Sequence, residues 1–252
     1  MTGIALAAIW GLAIGSFLNV CIHRLPAGGS VVHPPSHCPN CQHQLAWFEN
    51  VPVLSYVVLR GRCRQCRTPI SPMYPLVELA TALVFVTTWL QVGLVPLLFP
   101  RLVFASALIA LFMIDLRHHL LPNVITLPGI VLGFVLSFTA PPGWRASLIG
   151  IIAGGGVLLL IAKGYELLRK EEGLGMGDVK MLAMIGAFLG WPLMLVTLVL
   201  SSVAGSVVGI GLLATRRGGL KYALPFGTFL ALGALAAAAF GDRLLAWYLG
   251  FF

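Results

Sequence analysis

Four cysteines stand in two short pairs, Cys38-Pro-Asn-Cys41 and Cys63-Arg-Gln-Cys66, with 21 residues between them. A tight Cys-x-x-Cys turn presents two sulfurs to one ion, and two such turns complete a tetrahedron of thiolates around zinc. The linker is about one residue longer than is usual for such sites. Redox dithiols or unliganded thiols would use the same residues, although a reducing cytosolic setting disfavours disulfides. Structural zinc on Cys38, Cys41, Cys63 and Cys66 is the favoured reading. Four sulfurs close the shell and leave no position for a substrate, so the ion serves to fold the segment around it. His37 and His43 flank the first pair and read as bystanders, and Cys21 reads as a buried apolar residue.

The other residues suited to chemistry are acids, and the chain has only eight: Glu49, Glu78, Asp115, Glu166, Glu171, Glu172, Asp178 and Asp242. Asp115 ends the apolar run from Leu102 to Ile114, and Asp178 opens a short apolar stretch behind Gly175-Met176-Gly177. Taken singly, Asp115 could cap its helix or pair with Arg117, and Asp178 could simply answer a helix dipole. Taken together, they are two ionisable groups at the same edge of a membrane, a costly placement that defaults to function. Two carboxyls brought face to face share a proton, so one activates water while the other donates to a carbonyl or leaving amine. Gly175 and Gly177 would let a backbone pass close to an extended peptide. Lys180 and the helix N-terminus favour Asp178 as the ionised member.

These residues need elements to hold them, and the composition says which kind. The chain has 252 residues, of which 59% are hydrophobic and 10% charged, and its mean hydropathy is +0.96. Soluble domains carry roughly 25% charged residues. A soluble globule, a disordered chain and a disulfide-rich secreted module are therefore excluded. The expected fold is an all-α polytopic membrane protein of about eight transmembrane helices plus a small cytoplasmic zinc-binding loop domain. Three parts follow: a first span over 1–20, the four-cysteine loop domain over 21–72, and a transmembrane core over 73–252.

Basic residues orient the spans. Thr2 to Val20 is charge-free and is followed, not preceded, by His23 and Arg24, which argues for a retained span over a signal peptide. Apolar stretches long enough for two crossings separate the later basic blocks, at 73–116, at 123–140 with 146–162, and at 181–214. A last span lies within 223–240. On that map 13 of the 16 basic residues lie inside, and Arg101, Arg145 and Arg243 lie outside. Both termini then lie outside. The +8 net charge is explained by this asymmetry, so no nucleic-acid partner is expected; the lipid bilayer is. The sixth span, Val179 to Trp191, is short enough to suit a re-entrant helix, and Trp247 and Tyr248 suit a tail along the interface.

With these blocks in place the sequence resembles the type IV prepilin peptidases, aspartyl membrane proteases of the GxGD class. The likeness runs through Gly15-Ser16-Phe17-Leu18-Asn19-Val20, His23-Arg24-Leu25-Pro26, both cysteine pairs and Tyr74-Pro75-Leu76-Val77-Glu78-Leu79. It continues through Asp115-Leu116-Arg117 to Leu121-Pro122, then Gly175-Met176-Gly177-Asp178-Val179-Lys180 and Leu224-Pro225-Phe226-Gly227. Thr228 departs from it, since many members have proline there.

The resemblance implies removal of a basic leader from prepilin or pseudopilin precursors, after a glycine, at the cytoplasmic face of the bacterial inner membrane. Asp115 and Asp178 map onto the catalytic pair. The cysteine loop marks the long form, which then methylates the new N-terminal amine with S-adenosylmethionine. No dinucleotide-type glycine motif or doubly wound domain is present to bind that donor. A methyl-transfer site would have to be built from the 21–72 loop and nearby helix ends. Glu78 is a candidate for holding the amine there, with an ion pair to a loop arginine as the alternative. Glu166, Glu171 and Glu172 could attract the basic leader or form a solvated face. Asn19, His118, His119 and Gly154-Gly155-Gly156 read mainly as structural. The rival reading is an ion-coupled transporter that uses the two aspartates to bind its driving ion.

Overall fold

Long apolar runs with almost no internal charge leave a backbone in lipid one economical way to satisfy its polar groups, which is helix. The computed structural model describes residues 2–169, 175–215 and 224–251, and it is helical as the composition requires. The helices are α1 (Thr2–Arg24), α2 (Leu54–Val58), α3 (Met73–Val92), α4 (Leu98–His118), α5 (Asn123–Leu136), α6 (Trp144–Arg169), α7 (Met176–Ala214) and α8 (Phe226–Leu249). Six of them, α1, α3, α4, α6, α7 and α8, are long and apolar enough to cross a membrane, and α5 is shorter at 14 residues. Their outward faces carry large apolar side chains such as Trp10, Leu83, Ile152 and Ile210, a surface suited to lipid.

The chain divides into two compact units, Met1–Leu98 and Phe99–Phe252. In the first, α1 packs on α3 and the cysteine segment lies between them in sequence. This division groups α3 with α1, whereas the apolar pattern alone groups 73–252 together. In the second unit α4 buries much of its length. Its Phe104, Leu108 and Leu111 meet Met181, Met184 and Ile185 of α7 and Leu230 and Ala234 of α8 in one core.

Helix α7 is two helices. Gly190 has φ 75° and ψ 172°, outside helical space, and Pro192 follows it; a positive φ of this kind is readily adopted only by glycine. The packing of α8 shows that the chain reverses there. Helix α8 begins at Asp115, where the Thr228 N–H reaches that carboxylate, and Asp178 lies within electrostatic range of Asp115. Moving along α8, Phe229 meets Gly205, Gly233 meets Ser201 and Thr197, and Gly241 meets Leu193. The second arm of α7, residues 191–214, therefore runs back toward the level at which the first arm, 176–189, started. Sequence placed two short crossings within 181–214, and the backbone break at Gly190 separates two helical arms there.

The first arm sits tightly on α6. A Cβ on Gly150 would stand 2.4 Å from the Gly186 carbonyl oxygen, so neither position admits a side chain. Within Gly154-Gly155-Gly156 only Gly154 makes such an approach, its Cβ position lying 2.7 Å from the Leu182 oxygen. Residues 244–249, expected along the interface, continue α8 without a break.

Candidate active site and metal centre

The two cysteine turns adopt the same local shape. The Cys38 N–H donates to His43 O at 2.9 Å and the Gln42 N–H to Cys38 O at 2.9 Å; the Cys63 N–H donates to Thr68 O at 2.9 Å and the Arg67 N–H to Cys63 O at 3.0 Å. Gln42 and Arg67, each following a second cysteine, both take positive φ, 57° and 58°. Each turn closes on one antiparallel bridge, His37 with Gln44 and Arg62 with Pro69. Asn40 Nδ2 ties the turns together by donating to Thr68 Oγ1 at 2.9 Å.

The result is a cluster of four sulfurs lying within 4.8 Å of one another. Cys38 Sγ is 3.7 Å from Cys66 Sγ, and Cys41 Sγ is 3.9 Å from Cys63 Sγ. A tetrahedron with zinc–sulfur bonds of about 2.3 Å has edges of about 3.8 Å, so the donor set fits zinc in both number and spacing. The Thr68 hydroxyl and N–H hold the Cys66 thiol down to about 5, and the Cys41 and Asn40 N–H groups lower Cys38. The His43 N–H favours a thiolate at Cys41, yet burial and the neighbouring sulfurs push that thiol up to about 12. Four crowded sulfurs ionise together only beside a cation. His37 and His43 stay out of the cluster: His37 Nδ1 lies 3.0 Å from Pro35 O, and His43 Nε2 lies 3.1 Å from Glu49 Oε2.

Glu78, also in the first unit, is 7% exposed. Its Oε2 accepts from the Val53 N–H at 2.8 Å, so a backbone donor takes the place of the loop arginine considered from sequence. Asn19 Nδ2 donates to Tyr74 O at 3.0 Å and ties α1 to α3.

The aspartates belong to the second unit. Asp115, 4% exposed, lies in the last turn of α4. Its Oδ2 accepts from both the N–H and the hydroxyl of Thr228, at 2.6 and 3.0 Å. Asp178 is the third residue of α7, behind its cap Gly175. From that position its side chain reaches back to the cap N–H, while its own N–H donates to Gly175 O at 3.1 Å. Leu121, from the α4–α5 connection, wedges beside both: a Cβ on Gly177 would stand 2.9 Å from Leu121 Cβ, and one on Gly227 would stand 2.8 Å from Leu121 Cδ1 and 3.0 Å from Asp115 Oδ2. Glycine is needed at both positions because Leu121, and at 227 also Asp115, already occupy that space.

Lys180 does not turn toward Asp178. Side chains two apart on a helix point different ways, and Lys180 Nζ donates to Asn123 Oδ1 at 2.8 Å. Its expected support for the Asp178 charge is thereby withdrawn, and it braces the start of α5 against α7. His119 lies within electrostatic range of Asp115 and donates its N–H to Asp115 O at 2.9 Å. Glu166 accepts from Lys163 at 2.7 Å, and Glu171 and Glu172 lie outside the described residues. Sequence reasoning missed Thr228, Leu121, Asn123 and Val53 as partners. Thr228 carried a signal as a departure from the expected proline, and Leu121 as part of the run from Asp115 to Leu121-Pro122.

Residues 9–92 match the family described as the bacterial peptidase A24 N-terminal domain, and residues 102–210 match the type IV leader peptidase family. Several relatives carry the name prepilin leader peptidase/N-methyltransferase. That of Myxococcus xanthus is 45% identical over 214 residues, covering 84% of this chain and 64% of that protein. That of Burkholderia pseudomallei strain 1026b is 40% identical over 266 residues, covering 94% and 85%, and that of Aeromonas hydrophila is 38% identical over 273 residues, covering 97% and 93%. No solved structure matches the chain. The relatives lend no support to an ion-coupled transporter. With its cysteine segment inside the first match and both aspartates inside the second, the chain belongs to the type IV prepilin peptidase/N-methyltransferase family.

Proposed function

We propose that this multi-pass inner-membrane protein removes the basic leader from type IV prepilins or pseudopilins and then methylates the new N-terminal amine with S-adenosylmethionine. The observation that carries the hydrolytic half is the approach of Asp115 and Asp178, from separate helices, at the start of α8. The pair holds one proton between its carboxyls. The ionised member draws a proton from water as it attacks the scissile carbonyl, and the protonated member donates to the oxygen and then to the leaving amine. Thr228 fixes the Asp115 carboxylate, and the glycine at 177 lets Leu121 close up beside the pair.

A prepilin joins a basic leader to an apolar helix, so its scissile bond lies at the membrane surface. The 13-to-3 distribution of basic residues supports eight crossings, both termini periplasmic, and the aspartates at the cytoplasmic side. Cys38, Cys41, Cys63 and Cys66 would hold zinc, which supplies folding energy to the 21–72 segment and no reactive position.

The test is incubation of the purified protein with a precursor pilin, followed by mass spectrometry of the product. Leader loss and methyl gain are read separately. Asp115→Asn and Asp178→Asn should each abolish leader loss; full cleavage by either variant would refute the assignment.

A further inference from the structure

Between α1 and α3 the chain turns large apolar side chains outward, and α2 shows this best. Leu54, Val57 and Val58, at i, i+3 and i+4, share one face of it and are 65%, 65% and 78% exposed. Ser55 and Tyr56 of the same helix line an enclosed cavity of about 700 Å³ instead, and the Tyr56 hydroxyl donates to Ile70 O at 3.4 Å. The turn Trp47–Asn50 packs on α2. It adds Trp47, 82% exposed, and Phe48, whose rings meet edge-on at 5.8 Å. Arginines border this patch. From Leu25 to Pro72 the chain has four of them, Arg60, Arg62, Arg64 and Arg67, against one acid, the buried Glu49. All four are exposed. Arg60 stands two residues beyond α2, and Arg64 lies over the Phe48 ring at 5.2 Å. Among the described residues Arg60, Arg62 and Arg67 form no ion pair. An exposed apolar patch with a charged rim marks an interaction surface.

Depth identifies what covers it. Helices α1 and α3 run antiparallel, with Gly3 against Trp89 and Gly15 against Glu78, so the segment leaves and re-enters the bilayer through one leaflet. Asn19 Nδ2 donates to Tyr74 O at 3.0 Å, which sets Tyr74 level with the end of the charge-free run of α1, just ahead of His23 and Arg24. The hydrocarbon edge therefore passes near Tyr74. Glu78 lies one helical turn further in, about 6 Å at 1.5 Å per residue, and its Oε2 accepts from the Val53 N–H at 2.8 Å. Val53, at φ 60° and ψ −48°, centres a γ-turn closed by the Leu54 N–H on Pro52 O, a rare shape that sets the chain against α3 immediately before α2. Helix α2 thus starts at the boundary between headgroups and acyl chains, the depth at which in-plane amphipathic elements rest.

We infer that this face anchors the segment in the membrane surface: Trp47, Leu54, Val57 and Val58 enter the leaflet through which α1 and α3 emerge, and Arg60, Arg62 and Arg67 meet the phosphates of anionic phospholipid. Tryptophan suits that depth, and arginines near an anionic leaflet are held by its surface potential. The same charges repel the basic leader of a precursor, which removes it as the occupant. Sequence placed residues 21–72 in a loop domain beyond the membrane; this anchor draws the part from Trp47 to Arg67 into the membrane surface.

The full-length protein, reconstituted in vesicles of phosphatidylcholine and phosphatidylglycerol, tests this. Tryptophan emission of the parent minus that of Trp47→Phe isolates Trp47, and lipids brominated on the acyl chain quench an indole that reaches them. Trp47 should emit at the short wavelengths of an apolar setting and lose most of its intensity to the bromines. Brominated phosphatidylglycerol should quench it several-fold more effectively than brominated phosphatidylcholine. That preference should vanish in the triple variant Arg60→Gln, Arg62→Gln, Arg67→Gln and weaken in 1 M salt, where charges are screened beyond about 3 Å. Water-like, unquenched emission overturns the inference. So does a Trp47 signal that changes only when a precursor pilin is added, or only as the protein-to-lipid ratio rises, since the cover is then a second protein or a second copy. A preference that survives all three substitutions overturns the arginine contacts. Phosphatidylglycerol with a photoreactive acyl chain, applied to the parent, decides without any variant. Adducts on residues 47–58 support the anchor, and adducts confined to the long helices overturn it.

Discussion

The Asp115 carboxylate takes two donors from a residue 113 positions away, and a change at that residue should be felt at the scissile bond. Thr228→Val keeps the N–H and removes the hydroxyl. A net hydrogen bond is worth about 1 kcal/mol, so precursor cleavage should slow about fivefold, and Thr228→Ser should restore it. Proline, common at this position in the family the chain resembles, offers neither donor, which is why the effect is modest and not a loss of activity. Glu49 offers a second residue-scale test. The Ala46 N–H, with help from His43, holds its carboxyl below the usual carboxylate range although burial opposes this. A depressed folded-state value contributes stability above the unfolded pKa, about 4.3, and that contribution disappears as pH falls through the folded value. Glu49→Gln should therefore lower the melting temperature at pH 7, and the gap to the parent should narrow on acidification below about pH 4. A gap of constant size would show that the charge contributes nothing.

Among the elements, α7 decides most. Its first arm carries Asp178 and packs on α5 and α6, its second arm packs on α8, and Gly190 turns one into the other. Alanine there would hold φ at 75° and place its Cβ 2.9 Å from Pro142 Cβ. Residues forced into such regions cost roughly 1–3 kcal/mol, and the contact adds to this. Gly190→Ala should lower thermal stability in detergent and reduce cleavage in step with it; an unaltered melting curve would mean that the reversal does not depend on glycine. The short sixth span is explained on the same ground. It need not match a bilayer by itself, because α4, α5 and α6 surround it and bury nearly every side chain from Val179 to Leu189.

For the whole molecule the open quantity is the number of crossings. Six helices satisfy length and hydropathy, α5 falls short, and α7 doubles back. Eight crossings with both ends outside predict active alkaline phosphatase fusions at the C-terminus and near Arg101 and Arg145, and inactive ones within 60–67 and at Arg117. Activity at Arg117 would break the scheme. Much of the helix order was visible beforehand because lipid rewards uninterrupted apolar runs, a signal that local composition carries without any partner. The four-cysteine cluster was visible for a similar reason, since metal geometry demands a short repeat within each half of the site. The convergence of the aspartates was visible as equal depth on a topology map and through the resemblance that maps both onto a catalytic pair. What stood against each acid was not: a backbone N–H has no residue type, so the Val53 contact to Glu78 and the Thr228 N–H on Asp115 left no mark in the string of letters. Lys180 shows the same limit from the other side, its charge suggesting Asp178 while the helical phase delivered it to Asn123. Sequence by itself determined a helical membrane chain, its basic asymmetry, a zinc-fitting quartet and two acids near one surface, because each depends on side-chain type at short range. The tertiary structure alone decided the reversal at Gly190, the Leu121 wedge, the partners of every buried carboxylate and the enclosed cavity, because these arise where backbone from distant segments meets, and sequence encodes such meetings only through the sum of all packing.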